Sequence, residues 1–351
     1  MTKNPSTVIA IINQKGGCGK TTTAINLAAS YSRQKKKTLI IDMDPQGHVS
    51  LGLNVCSNSL LKTIHSAMEP TNTTLKLRQC IVQVGSHLDL IPSNIKLASL
   101  EQLLHGKNRR EFRLKDLLTP LVSKYEYIII DSPPNLGLLS INAILASHQV
   151  IIPIEPSDYS LQGAQRLNET LDLLEEKTKH KVNRYCLMTM HWNSDTHSQN
   201  FYTKLFQTFG DQLLLSKVNF SQSLKSAAAA GKPVLYHNIA DVTALDYLAV
   251  SDELEKRFAG IQIQHPSARK RKGRNGILGR ITLLNSSGKV IRTINPQKLE
   301  EGAEGSMQPM GTEKPAKTKS KIIQPVQFVG KAGKKNKLIT KKTKQKHLVA
   351  A

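Results

Sequence analysis

Residues 15–22 read Lys-Gly-Gly-Cys-Gly-Lys-Thr-Thr, set between an apolar β-branched run, Val8–Asn13, and a helical pattern beginning at Thr21. Closely spaced glycines let the backbone bend so that successive N–H groups turn inward toward phosphate oxygens. A helix starting where the loop ends adds the partial positive charge of its N-terminus. Gly16, Gly17, Cys18 and Gly19 are then the cradle, with Thr22 at its exit. Lys20 reaches β- and γ-phosphates, and Thr21 offers its hydroxyl to Mg²⁺. A glycine-rich turn that binds nothing would not need the Lys-Thr ending in a strand–loop–helix setting.

The first 260 residues continue in the same alternation. Thr38–Asp42, Leu88–Pro92, Tyr127–Asp131, Val150–Ile154 and Tyr185–Met190 read as strands buried on both faces, since their apolar residues run on without alternation. Helical patterns fall at Thr21–Ser32, Leu97–Leu104, Phe112–Lys124, Leu161–Lys177, Ser198–Phe209 and Ala244–Phe258. This repetition predicts an α/β fold, a mostly parallel sheet covered by helices on both faces. No apolar run approaches the roughly 20 residues that cross a bilayer, so a transmembrane segment is not expected. Cys18, Cys56, Cys80 and Cys186 lack CxxC or metal-ligand spacing and read as reduced thiols.

Two of the apolar runs end in acid. Thr38–Asp42 leads into Asp42-Met43-Asp44-Pro45-Gln46-Gly47, and Tyr127–Asp131 into Ser132-Pro133-Pro134. A carboxylate at the C-terminal end of a parallel strand faces the ligand crevice, where Asp131 can hold Mg²⁺ through water. The alternative is a buried cap.

The glycine loop is compressed between Gly16 and Gly19 and carries an additional lysine, Lys15, ahead of the glycines. At these residues the chain resembles the deviant-P-loop family of ParA-type partition ATPases and MinD, and the likeness runs through the first 260 residues. Tyr159–Gly163, Met188–Asp195 and Gly231-Lys232-Pro233-Val234 also stand in family-like positions. The resemblance implies a P-loop NTPase fold, ATP and Mg²⁺ as cofactors, and ATP hydrolysis. It implies that Lys15 acts across an ATP-bound homodimer on the partner's phosphates. It places Asp44 at the attacking water and Asp42 near the metal. The catalytic set it implies is therefore Lys15, Lys20 and Asp44, and the metal set Thr21, Asp42 and Asp131. It further implies non-specific DNA and a ParB-like stimulating protein as partners, and a cytoplasmic, nucleoid-associated protein.

One segment departs from the partition subgroup. Residues 218–231 read VNFSQSLKSAAAAG. Ser223 and Ser226 therefore stand where such proteins carry a DNA-contacting arginine and a following acid. Lys225 is the nearest cation, but a point charge is not equivalent to a forked guanidinium. The positive charge lies elsewhere: residues 265–351 hold 21 Lys/Arg against 4 Asp/Glu, so 17 of the net 23 charges sit there. Such a balance favours polyanions, nucleic acid before anionic membrane. We divide the chain into an ATPase domain at 1–260, a basic linker at 261–276 and a lysine-rich, largely disordered tail at 277–351. Two apolar runs at 277–294, around Asn285-Ser286-Ser287-Gly288, fit a hairpin. Two other functions compete: a MinD-like or ParA-like ATPase positioning a membrane site or protein cargo, and a non-catalytic scaffold that ATP merely dimerises. Against the first, Lys331–Ala351 offers only scattered apolar residues for an amphipathic helix. Against the second stand Lys20, Asp44 and Asp131.

Overall fold

A computed structural model describes residues 6–71, 75–192, 196–261, 263, 281–284 and 290–294. Seven strands form the central sheet: β1 (Thr7–Ile11), β2 (Thr38–Asp42), β3 (Val82–Gly85), β4 (Leu88–Ile91), β5 (Tyr127–Asp131), β6 (Gln149–Ile154) and β7 (Asn183–Met188). Their order is β3-β4-β2-β5-β1-β6-β7, all parallel except that β3 pairs antiparallel with β4. The fold class read from the sequence is borne out. Eleven helices accompany the strands among the described residues: α1 (Lys20–Arg33), α2 (His48–Gly52), α3 (Ile64–Met68), α4 (Leu100–Leu103), α5 (Arg113–Leu118), α6 (Leu138–Leu145), α7 (Asp158–Thr178), α8 (Thr196–Phe209), α9 (Gln222–Ala229), α10 (Val234–His237) and α11 (Val242–Phe258).

Alternation within each apolar strand supplies both faces of the sheet at once. Val8, Ala10, Leu39, Ile41, Ile128, Ile130, Val150 and Ile152 face one core, closed by Leu114 and Leu118 of α5, Ala164 and Leu167 of α7, and Phe201 and Leu205 of α8. Ile9, Ile11, Ile40, Ile129 and Ile151 face the other, closed by Ala24, Leu27 and Tyr31 of α1 and by Tyr247 and Val250 of α11. The helix expected at Phe112–Lys124 is shorter. It ends at Leu118, because Pro120 cannot donate and disfavours helical backbone at the residue before it. Leu97–Leu104 likewise begins as a 3₁₀ turn, Ile95–Ser99, before α4.

The register fixes the functional edge. Asp42 pairs with Asp131 across β2 and β5, and Ile11 pairs with Asp131 across β1 and β5. Both acid-ended strands and the strand feeding the glycine loop therefore stop at one level.

The chain divides into two compact units, Met1–Lys272 and Gly273–Ala351. In the second, the described residues form an antiparallel pair, β8 (Ile281–Leu284) with β9 (Val290–Ile294). The disorder expected for the rest of the tail lies outside the described residues, as does the linker apart from residues 261 and 263.

Candidate functional site

The loop is held from three sides before any ligand is considered. Asn13 donates to the Pro153 carbonyl at 2.6 Å and accepts from the Lys15 N–H at 3.0 Å. Thr189 Oγ1 donates to the Cys18 carbonyl at 2.9 Å. Gly17 and Gly19 take φ of 79° and 90°, a region that L side chains avoid. Cys18 is fully buried, and its Sγ donates to the Lys15 carbonyl at 3.2 Å. Burial pushes its thiol pKa up against the pull of Lys20, so it stays a small neutral packing residue.

Lys20 is buried, with Nζ donating to the Lys15 carbonyl at 2.9 Å, which aims the ammonium into the loop. Thr21 Oγ1 donates to Asp131 Oδ2 at 2.7 Å. Asp131 Oδ1 is buried without a hydrogen-bond partner. A hydroxyl beside an orphaned carboxylate oxygen is a hard-oxygen donor set, which fits Mg²⁺ completed by phosphate oxygens and water. Asp42 differs from this pattern. Its Oδ1 accepts from Asp44 N at 3.0 Å and its Oδ2 from Val49 N at 3.2 Å, so both oxygens hold the 42–49 turn. Asp44 keeps Oδ1 on the Gln46 N–H at 2.9 Å. Among the described residues its Oδ2 takes no hydrogen bond.

Lys15 points out of the loop. Its Nζ is ion-paired with Glu155 and donates to Ser157 Oγ at 3.2 Å and Ser160 Oγ at 3.0 Å. Ser157 also caps α7 by accepting from Ser160 N at 3.2 Å. The family-like motif after β6 begins only at Tyr159. Glu155 and Ser157 carry no local signal, because their partner Lys15 lies 140 or more residues away.

Burial raises the Asp131 carboxyl to about 7, helped by the charge of Asp44 and opposed by Thr21 and Lys20. Asp42 is pushed well up by burial and by Asp131. A carboxyl with a raised folded-state pKa keeps its proton where the unfolded chain has lost it, so stability falls as pH rises through roughly 4 to 7. Asp131→Asn is therefore expected to melt above the unliganded native protein at pH 8, with the gap closing at pH 5. Each 1 kcal/mol moves the midpoint by about 2–4 °C in a domain of this size. Equal shifts at both pH values would show that charge is not the cause.

An open cavity of about 250 Å³ adjoins the loop, lined in part by Gly19, Thr22, Met190, Asn219, Phe220 and Leu224. Of these residues the sequence marks only Gly19 and Thr22 for nucleotide binding, because the other walls come from segments far apart in the chain.

Comparison with known proteins gives this edge a family. The AAA domain profile matches residues 6–184. The chromosome partitioning protein ParA of Myxococcus xanthus is 36% identical over 254 residues, covering 71% of this chain and 88% of that protein. The chain belongs to the ParA family of P-loop ATPases. Among solved structures, cobyrinic acid a,c-diamide synthase from Mycobacterium smegmatis with bound ATP analog and magnesium is 26% identical, with a TM-score of 0.63 over 73% of this chain and 97% of that one. A putative plasmid partition protein from Borrelia burgdorferi bound to AMPPNP is 25% identical, with a TM-score of 0.61 over 72% and 99%. Among the described residues no helix is long and apolar enough to cross a membrane.

Proposed function

We propose that this ParA-family protein is a Mg²⁺-dependent ATPase that dimerises on binding ATP. In this reading the dimer binds DNA without sequence preference and drives partitioning of chromosome or plasmid DNA, reset by a ParB-like stimulator. One observation carries the ATPase reading: Lys20 and Thr21 of the loop meet Asp131 at the sheet edge, with Asp44 near enough for its charge to act on Asp131, and one Asp131 oxygen is orphaned. The loop N–H groups and the start of α1 hold the phosphates, and Lys20 offsets their charge. Thr21 and Asp131 hold Mg²⁺, which supplies charge neutralisation at the transferring phosphoryl group. Asp44 Oδ2 orients the attacking water. Lys15 leaves Glu155 and serves the partner's nucleotide. The cavity bordered by Phe220 seats the base. ATP-dependent turnover that vanishes in Lys20→Ala is the direct test.

We assign DNA affinity mainly to the tail, residues 277–351, together with the basic linker 261–276 that follows the ATPase domain 1–260. Two features support this: 17 of the 23 net charges lie beyond residue 264, and Ser223 stands in the arginine's place on α9. Lysine–phosphate contacts release counterions, giving a log–log salt slope near −0.9 per phosphate neutralised. Truncation after Gly260 is expected to weaken binding to random-sequence duplex and flatten that slope, with DNA-free ATP turnover nearly unchanged. Anisotropy at several salt concentrations measures both. A truncated protein with the full chain's affinity and slope would move the DNA site to Lys225 and its neighbours.

A further inference from the structure

Asp246 on α11 belongs to neither the loop nor the acidic motifs, yet it governs how one wall of the cavity beside the loop is presented. Its Oδ2 accepts from the backbone N–H of Asn219 and from the side-chain Nδ2 of Asn219, each at 2.8 Å. A carboxylate oxygen can only accept, so it dictates which end of the carboxamide turns toward it. The NH₂ of Asn219 is committed to Asp246, and the carbonyl Oδ1 is left facing away. Asn219 lines the cavity, and among the described residues its Oδ1 takes no hydrogen bond. The wall around it is fixed as well. His191 N donates to the Val218 carbonyl at 3.0 Å and Phe220 N to the His191 carbonyl at 2.9 Å. Phe220 stacks on Trp192 with centroids 4.7 Å apart and 15° between the planes.

We propose that Asp246 is a positioning residue: by holding Asn219 as an acceptor, it makes the cavity select a purine with an amino donor at position 6, adenine, over one with a carbonyl there, guanine. The inference rests on the reading of this cavity as the base seat. The 6-amino group of adenine donates to Asn219 Oδ1. Guanine sets its O6 against the same oxygen, leaving two desolvated acceptors facing each other without a proton between them. Sites built around a hydrogen bond discriminate strongly against a base that cannot make it. Without Asp246 the carboxamide is free to turn over and present NH₂ instead, which suits O6.

The experiment is competition of ATP and of GTP against a fluorescent adenine nucleotide on the full chain, read as the ratio of the two dissociation constants. The native protein is expected to favour ATP by about 10²-fold, the upper end of what one unpaired desolvated polar group costs. Asp246→Ala is expected to bring the ratio to within a few-fold of unity, and Asp246→Asn, which keeps one acceptor, to restore part of it. Asn219→Ala gives an independent reading should Asp246→Ala fail to fold, and is expected to lower the ratio as well. A merely structural role would weaken both nucleotides alike. An unchanged ratio in folded Asp246→Ala or in Asn219→Ala, or a native protein with no preference, overturns the inference. Leu224→Trp, which fills the cavity, separates this from failure of the base-seat reading. Undiminished nucleotide affinity in Leu224→Trp removes the base from the cavity altogether, whereas lost affinity there with unchanged ratios elsewhere sinks only the role of Asp246.

Discussion

Asp44→Ala is expected to cut ATP turnover by about 10²-fold or more, the usual worth of a positioned base, while nucleotide binding and ATP-dependent dimerisation persist. The groups proposed to bind nucleotide and metal lie elsewhere: Lys20 in the loop, and Thr21 with Asp131 at 2.7 Å. Asp44 Oδ1 is fixed by the Gln46 N–H, so the carboxylate is oriented before any water arrives. If Asp44 serves the attacking water as proposed, its loss is expected to stop chemistry without emptying the site, so that an ATP-bound dimer accumulates. Phosphate release and light scattering, measured on the same samples, separate these effects. Near-native hydrolysis in this variant would take Asp44 out of the mechanism. A variant that neither binds nor dimerises would make Asp44 structural instead, a brace for the turn that Asp42 already holds.

What the sequence revealed of this site followed from how local each signal was. The loop was legible because glycines, lysines and threonines carry their meaning within eight consecutive residues. Thr38–Asp42 and Tyr127–Asp131 were legible to the residue, since unbroken β-branched runs stop at an acid. The edge strand Val82–Gly85 was not, because a short, half-exposed strand ending in glycine has no apolar run. Leu138–Leu145 passed unseen as a helix because eight mostly apolar residues show no period. Tyr185–Met190 lies two residues late: the strand spans Asn183–Met188, opening on polar Asn183 and Arg184, and Met190 turns into the left-handed region with φ of 54°. The least visible features were pairings across the chain. Nothing near Asn219 announces Asp246, and nothing near Lys15 announces Glu155, since each pair exists only once the sheet has brought its segments together. The family resemblance assigned Lys15 its role in a dimer without indicating what holds it beforehand.

That prior hold shapes the second large effect. Lys20→Ala is expected to abolish productive nucleotide binding, because its ammonium is the cation turned into the loop. Lys15→Ala should still bind nucleotide as a monomer, since in the single chain Lys15 Nζ is spent on Glu155, Ser157 and Ser160 and contributes nothing to the loop's interior. What it should lose is dimerisation on ATP, and with it turnover, because its proposed target is the nucleotide of the second subunit. Glu155→Gln sharpens the test. It leaves Lys15 in place but removes the charge that must be given up when the lysine swings across, so dimerisation is expected at a lower ATP concentration than in the native protein. Sedimentation or light scattering across an ATP titration reads all three variants. A Lys15→Ala protein that dimerises and hydrolyses ATP normally would remove Lys15 from the interface. Unaltered assembly in Glu155→Gln would show that the ion pair with Glu155 does not oppose it, because partner phosphates bearing several charges then outbid one half-exposed carboxylate without measurable competition.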